Sequence, residues 1–343
     1  LLTDLWETLR DEIGKDRNLS PDTLDLIINE QRIATPKDAL TENLIDALGY
    51  ELDLENLIQK RLRKEGTESL RFATVNDVNE AASSYNSEVK ERIAVLYAKG
   101  PILYGEGTQS TIAQGVFVET LQELAKDDWV KAVVLRIDSP GGSALTSELL
   151  WQSIHALKQQ KPILVSMGNV AASGGYYIAT GADHIFADPL TITGSIGVFA
   201  SLPNLSGLVE NLGIHVETVE THPDALGYSV FQPMSKAFES QMEKGIENTY
   251  STFKQRVAEG RNLDESQVET LAQGRVWTGK QAVANGLIDS IGGLQETVIA
   301  AAKLVHLENY NQIDYPKFEE SLASVFSGMS LSIGLDKLWK ILL

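Results

Sequence analysis

Two short turns in this sequence combine a hydroxyl with glycine amides in a pattern suited to acyl transfer. The first, Ser139-Pro140-Gly141-Gly142, directly follows the apolar run Ala132-Val133-Val134-Leu135-Arg136-Ile137. The second, Ala171-Ala172-Ser173-Gly174-Gly175, lies after Lys161-Pro162-Ile163-Leu164-Val165-Ser166, which reads as a buried strand. Ser173 then sits near a strand-to-helix junction, where small neighbours let a backbone or an extended substrate approach its hydroxyl. A buried helix running through Tyr176, Tyr177 and Ile178 to a cap at Gly181 offers free amide hydrogens and partial positive charge to a developing oxyanion. If the two strands are neighbours in a parallel sheet, both turns emerge at one carboxyl edge, where α/β folds bind ligands. The amides of Gly141 or Gly142 and of Gly174 can then point at one oxygen, as in an oxyanion hole. A competing reading makes Ser173 merely a small residue in a Gly/Ala-rich helix packed on a sheet. Ser195, in Thr193-Gly194-Ser195-Ile196-Gly197, reads on its own as a turn residue. Neither glycine pair is a phosphate loop, since the Walker lysine and the dinucleotide spacing are missing.

The elements around these turns alternate. Ile93 to Tyr97 predicts a strand, Phe117 to Ala125 a helix, Ala132 to Ile137 a strand, Glu148 to Gln159 a helix and His184 to Ala187 a strand. The continuous apolar character of these strands predicts a parallel sheet covered on both faces, in an α/β fold with right-handed crossovers. A long helix is predicted from Ser235 to Ala258. Leu1 to Gly14 has helical periodicity, and Ser20-Pro21-Asp22 starts a second helix with proline in its first turn.

Composition narrows the chemistry. The 343 residues are 43% hydrophobic and 22% charged, enough for a substantial core and for two domains or one large domain with an extension. A net charge of −18 argues against a nucleic-acid partner. The absence of cysteine removes disulfides and thiolate chemistry, and the five histidines have no metal-ligand spacing, so no metal or other cofactor is expected. No run of about 20 apolar residues suggests a membrane span. Met329 to Leu343 reads as an amphipathic terminal helix.

The chain also repeats itself. Arg32, Thr35, Lys37, Ala39, Leu44, Ile45, Asp46 and Gly49 recur at a constant offset as Arg275, Thr278, Lys280, Ala282, Leu287, Ile288, Asp289 and Gly292. Asn18-Leu19 matches Asn262-Leu263 after a one-residue gap. A long α/β stretch precedes the second copy, whereas only a short segment precedes the first. The expected organisation is therefore the C-terminal part of a truncated first repeat domain (1–75), a linker (76–90), a serine-bearing domain (91–305) and a C-terminal amphipathic tail (306–343).

Three motifs in order, Ile137 to Ser143, Met167-Gly168 through Ala171 to Tyr177, and Thr193 to Gly197, resemble the signal peptide peptidase A family, in its long, tandem-repeat bacterial form. The resemblance covers about Arg92 to Leu304, with Leu1 to about Lys60 matching the end of a preceding domain. It implies a Clp protease/crotonase-like fold of ββα repeats, with a helical remnant of a preceding homologous domain. It further implies Ser173 as nucleophile, Gly174 with Gly141 or Gly142 as oxyanion donors, and Ser195 as the residue orienting a general-base lysine. Hydrophobic peptides such as cleaved signal peptides are the implied substrates. A homo-oligomer, held at the bacterial inner membrane by an N-terminal anchor and facing the periplasm or cell exterior, is the implied setting.

One departure from the family stands out. Its members use a Ser-Lys dyad, in which burial lowers the lysine pKa so that the amine takes the serine proton. In the short form that lysine follows the nucleophile, yet the corresponding stretch, Val219 to Pro233, contains no lysine. In the long form it belongs to the first domain, upstream of the repeated tail, so it is expected ahead of Leu1. Lys236 starts a polar helix, and the duplication of Lys37 and Lys280 points to a structural role. The alternative to a peptidase is a non-catalytic peptide-binding scaffold or regulatory subunit of the same fold. A crotonase-like acyl-CoA enzyme is disfavoured, because no site for nucleotide phosphates is evident.

Overall fold

A computed structural model describes residues 1–62, 70, 72–75, 77–78, 86–222, 225 and 227–318. The chain divides into two compact units, Leu1–Ser87 and Glu88–Leu343. The terminal helix expected over Met329 to Leu343, and most of the expected linker, lie outside the described residues.

The second unit is built on a sheet whose main path runs β6-β5-β3-β2-β1-β8. Its strands are β1 (Arg92–Lys99), β2 (Val130–Ser139), β3 (Ile163–Ala172), β4 (His184–Ala187), β5 (Ile192–Gly194), β6 (Val276–Thr278), β7 (Ser290–Ile291) and β8 (Asn311–Tyr315). All pairings are parallel except β5 with β6. β3 is long enough to pair with β4 over Leu164–Ser166 and then with β5 over Val170–Ala172. It runs six residues beyond the strand expected from the sequence, reaching the residue before Ser173. The small residues of that stretch resemble a loop in sequence. Gly168 allows the strand to continue, because a Cβ there would fall 3.0 Å from the Asp138 Cβ on β2. β8, within the segment read as tail, pairs with β1 along the sheet edge.

Helices cover both faces, which is why the strands read as unbroken apolar runs. In chain order the described helices are α1 (Leu2–Arg17), α2 (Pro21–Asn29), α3 (Pro36–Thr41) and α4 (Glu51–Arg61) in the first unit. The second unit holds α5 (Gln114–Lys126), α6 (Ala144–Lys158), α7 (Gly174–Ala179), α8 (Ser206–Asn211), α9 (Lys236–Arg261), α10 (Glu265–Leu271), α11 (Gly279–Ala284) and α12 (Leu294–Leu304). One core layer joins Leu96, Val133, Leu135, Val165 and Met167 to Phe117, Leu150, Tyr176, Phe253 and Val268. The other packs Ile93, Val95, Val134 and Leu164 against Val298 and Ala301 of α12. The edge from which β2 and β3 exit is thus fixed by packing on both sides.

The repeated sequence is repeated geometry. Asn18 and Asn262 each end a helix in the left-handed conformation, with φ 54° and 52°. Arg17 donates to the Asn43 carbonyl at 2.8 Å and to Asp46 at 3.1 Å. Arg261 donates to the Gly286 carbonyl at 2.9 Å and to Asp289 at 2.7 and 2.8 Å. Thr35 and Thr278 each cap a short helix through a reciprocal capping box.

Candidate active site

β3 ends at Ala172 and α7 begins at Gly174, so Ser173 alone makes the turn between them. Its backbone lies at φ 52°, ψ −121°, a region that costs a non-glycine residue about 1–3 kcal/mol. Two hydrogen bonds hold it there: Ser173 N–H donates to the Gly194 carbonyl at 2.9 Å, and Tyr177 N–H donates to the Ser173 carbonyl at 2.8 Å. The side chain is half-buried and makes no capping bond to the helix it starts. The hydroxyl is therefore not folded back onto the backbone of its own helix.

The β3–β5 register pairs Ala172 with Gly194. Ser195, one residue beyond, is thereby brought alongside Ser173. It also has positive φ, 49°, and its N–H donates to the Arg275 carbonyl at 2.7 Å. The turn that carries Ser195 is pinned to the repeated tail just before β6. What reads as an isolated turn residue in the sequence is a neighbour of the candidate nucleophile in space.

The first glycine turn reaches the same place. A Cβ on Gly141 would fall 2.6 Å from the Gly174 nitrogen and 2.8 Å from the Ser173 Cβ, at a φ of +95°. Only glycine admits this approach. The Gly141 N–H donates to Ser139 Oγ at 3.1 Å, so it is already occupied. Ile102 donates to the Gly141 carbonyl and accepts from Ser143 N–H, both at 2.8 Å. That parallel pairing turns the Gly142 N–H away from Ile102, towards the open side. Gly142 is exposed, and its N–H has no hydrogen-bond partner among the described residues. Gly174 opens the first turn of α7, where N–H groups have no intrahelical partner. With only six residues α7 has little macrodipole, so the individual N–H groups matter more than the dipole invoked from the sequence.

No cation belongs to this stretch: residues 162–235 contain neither lysine nor arginine. Burial lowers the pKa of Lys161, but its ammonium is spent on the Leu124 and Asp127 carbonyls. It also precedes β3, at the opposite end of the strand from Ser173. Lys37, Lys236 and Lys280 are exposed. His155 stacks on Trp151, His184 bonds Ser290 Oγ at 2.9 Å, and His215, His222 and His306 are exposed. Among the described residues no acidic or histidine cluster could hold a metal ion.

Sequence reasoning passed over Glu148, Tyr177 and Arg256. Tyr177 hydroxyl donates to Glu148, which also accepts from Arg256 at 2.6 Å. Burial, then the Glu148 bond, pushes the Tyr177 pKa far up, so the phenol stays protonated. The spacing of Tyr177 one helical turn after Ser173 is the only signal of this in the sequence.

Comparison with known proteins comes to the same region. A model of peptidase family S49 matches residues 155–308, and a model of Clp protease matches residues 84–193. Protease 4 of Salmonella typhi is 34% identical over 339 residues, 96% of this chain and 54% of its own length. The chloroplastic serine protease SPPA of Arabidopsis thaliana is 36% identical over 74% of this chain and 39% of its own. A protein of Methanocaldococcus jannaschii, named as a candidate protease, is 33% identical over 66% of this chain and 74% of its own. The chain thus spans about half the length of Protease 4. Among solved structures, a ClpP1 variant of Listeria monocytogenes aligns with a TM-score of 0.39 at 14% identity, over 60% of this chain and 94% of its own.

Proposed function

The chain belongs to peptidase family S49, and from that premise we propose that it is the serine-bearing part of a Ser-Lys endopeptidase. Its substrates in this reading are cleaved signal peptides and other hydrophobic peptides. The observation that carries the proposal is the strained Ser173 turn, with the open Gly142 N–H and the Gly174 N–H brought beside it by the Gly141 contact. Ser173 Oγ attacks the scissile carbonyl while a neutral lysine amine takes its proton. The C=O electron pair moves onto oxygen and is held by the two N–H groups. As the pair returns, the C–N bond breaks, the leaving amine takes the proton from the lysine, and water then cleaves the acyl-enzyme by the same route. Gly142 replaces Gly141 as the donor from the first turn, because the Gly141 N–H is held by Ser139. Ser195 orients the lysine from its place beside Ser173.

The lysine itself comes from outside the serine-bearing unit in this reading. The matching hydrogen bonds of Arg17 and Arg261 support reading the first unit as the tail of a second, homologous domain. That domain, in tandem, would carry the base. Exposed apolar side chains beyond Ser195, among them Phe199, Leu208 and Leu212, support assembly with further copies. No described helix is long and apolar enough to cross a membrane. The proposed setting remains the bacterial plasma membrane, with the site facing the periplasm or cell exterior.

The test is covalent labelling with a peptidyl fluorophosphonate carrying apolar side chains. Modification should map to Ser173 and vanish in Ser173→Ala, with unchanged thermal melting. The absence of lysine and arginine from residues 162–235 favours one second reading, a peptide-binding scaffold without catalysis. Peptide binding that survives Ser173→Ala, together with no labelling even when the chain is joined to the part of a related Protease 4 that it does not match, would establish it instead.

A further inference from the structure

Three side chains outside the proposed chemistry tie together the two segments that present the oxyanion N–H groups. Gly142 is followed at once by Ser143 and α6, and Gly174 begins α7. Glu148, one turn into α6, accepts hydrogen bonds from the Tyr177 hydroxyl on α7 and from Arg256 on α9, at 2.6 Å from Nη2 and 3.3 Å from Nε. The Arg256 guanidinium lies 3.9 Å from the centroid of the Trp151 ring on α6, and the Tyr177 ring meets Phe253 of α9 at 4.7 Å. The three helices therefore meet at one carboxylate. Beside it the packing has no slack: Ser147 is fully buried, and a Cβ on Gly174 would fall 2.6 Å from Ser147 Oγ. A shift of α6 against α7 must then change the separation of the Gly142 and Gly174 N–H groups.

We propose that Glu148, gripped by Tyr177 and Arg256, is a positioning residue that sets the spacing of the oxyanion donors. A carboxylate suits the role because both partners are donors and one is charged, which makes these bonds short and directional. Electrostatic stabilisation of the tetrahedral state depends on such preorganised geometry, whereas binding of an uncharged ground state depends on it far less. The clamp does not touch substrate; it acts through the helices it joins. It rests on the reading of Ser173 as the nucleophile.

The experiment compares a peptide aldehyde with the alcohol of the same apolar sequence. The aldehyde carbonyl takes Ser173 Oγ, forming a C–O bond and a hemiacetal whose oxygen receives the serine proton; the alcohol binds without reacting. Tyr177→Phe removes one grip while leaving the ring contact and the Arg256 pair, and Glu148→Gln keeps the size but not the charge. Both should bind the alcohol as the unaltered protein does, while the preference for aldehyde over alcohol falls roughly tenfold. Arg256→Lys should retain more of that preference than Arg256→Met. A preference unchanged in Tyr177→Phe and Glu148→Gln, or a parallel loss of both ligands, overturns the clamp. No aldehyde preference in the unaltered protein, or one that persists in Ser173→Ala, overturns the nucleophile reading and the clamp with it.

Discussion

Ser173 occupies a backbone conformation that costs free energy, and its neighbours explain why that conformation persists. Gly141 is in contact with it at 2.8 Å from the position of a missing Cβ, and Ser195, also at positive φ, is the residue after Gly194, which pairs with Ala172. Gly141→Ala should therefore be severe: the new methyl has no space and the φ of +95° disfavours any side chain. The expected result is loss of Ser173 labelling together with a destabilisation of about 1–3 kcal/mol or more, read by labelling and by urea unfolding. Retained labelling at normal stability would mean that the two turns do not touch as described.

At the scale of elements, the β3–α7 junction is held from behind by the repeated tail. Arg261, with only 8% of its side chain exposed, joins the end of α9 to Asp289, and the Tyr176 hydroxyl of α7 donates to the Leu287 carbonyl at 2.8 Å. Burial alone would raise the Asp289 carboxyl. The Arg261 hydrogen bonds and charge, with the Ile185 N–H, outweigh it and hold the pKa below its usual range. A depressed folded pKa contributes stability that is fully present above the unfolded aspartate value of about 3.9 and is lost as pH falls through the folded value. Asp289→Asn should thus lower stability at pH 7 and flatten its fall below about pH 4, as followed by unfolding at several pH values. An acid limb of unchanged steepness would assign the effect elsewhere. The matching Asp46 is 88% exposed against 27% for Asp289, so its pair with Arg17 is screened and Asp46→Asn should change little.

For the molecule as a whole, the unassigned group is the base. With no cation in residues 162–235 and Lys161 committed elsewhere, this chain alone should turn over a fluorogenic apolar peptide about 10²–10⁴-fold more slowly than an assembly that supplies a lysine. Addition of the part of a related Protease 4 that this chain does not match, joined in one polypeptide, should restore turnover that depends on Ser173. Robust Ser173-dependent turnover by the chain alone would place the base within it and refute the division of the dyad.

The sequence determined much by itself, because its signals were local. Apolar runs bounded by glycine or proline marked β1 to β4, two glycine turns marked the edge, and the recurring Arg-Thr-Lys-Ala and Leu-Ile-Asp pattern marked the tail. Its limits were equally physical. The length of β3 depended on Gly168 fitting against Asp138, a cross-strand contact with no local signature. The edge strand β8 formed because β1 offered it an unpaired side. Which glycine has a free N–H was decided by Ser139, which opens the turn and turns its hydroxyl back onto Gly141, and by Ile102, on a different strand's loop. The Glu148 clamp joins residues 29 and 108 positions apart. Residue types and spacing named the chemistry; only tertiary contacts, which bring distant backbone groups within hydrogen-bond range, decided which atoms are free to perform it.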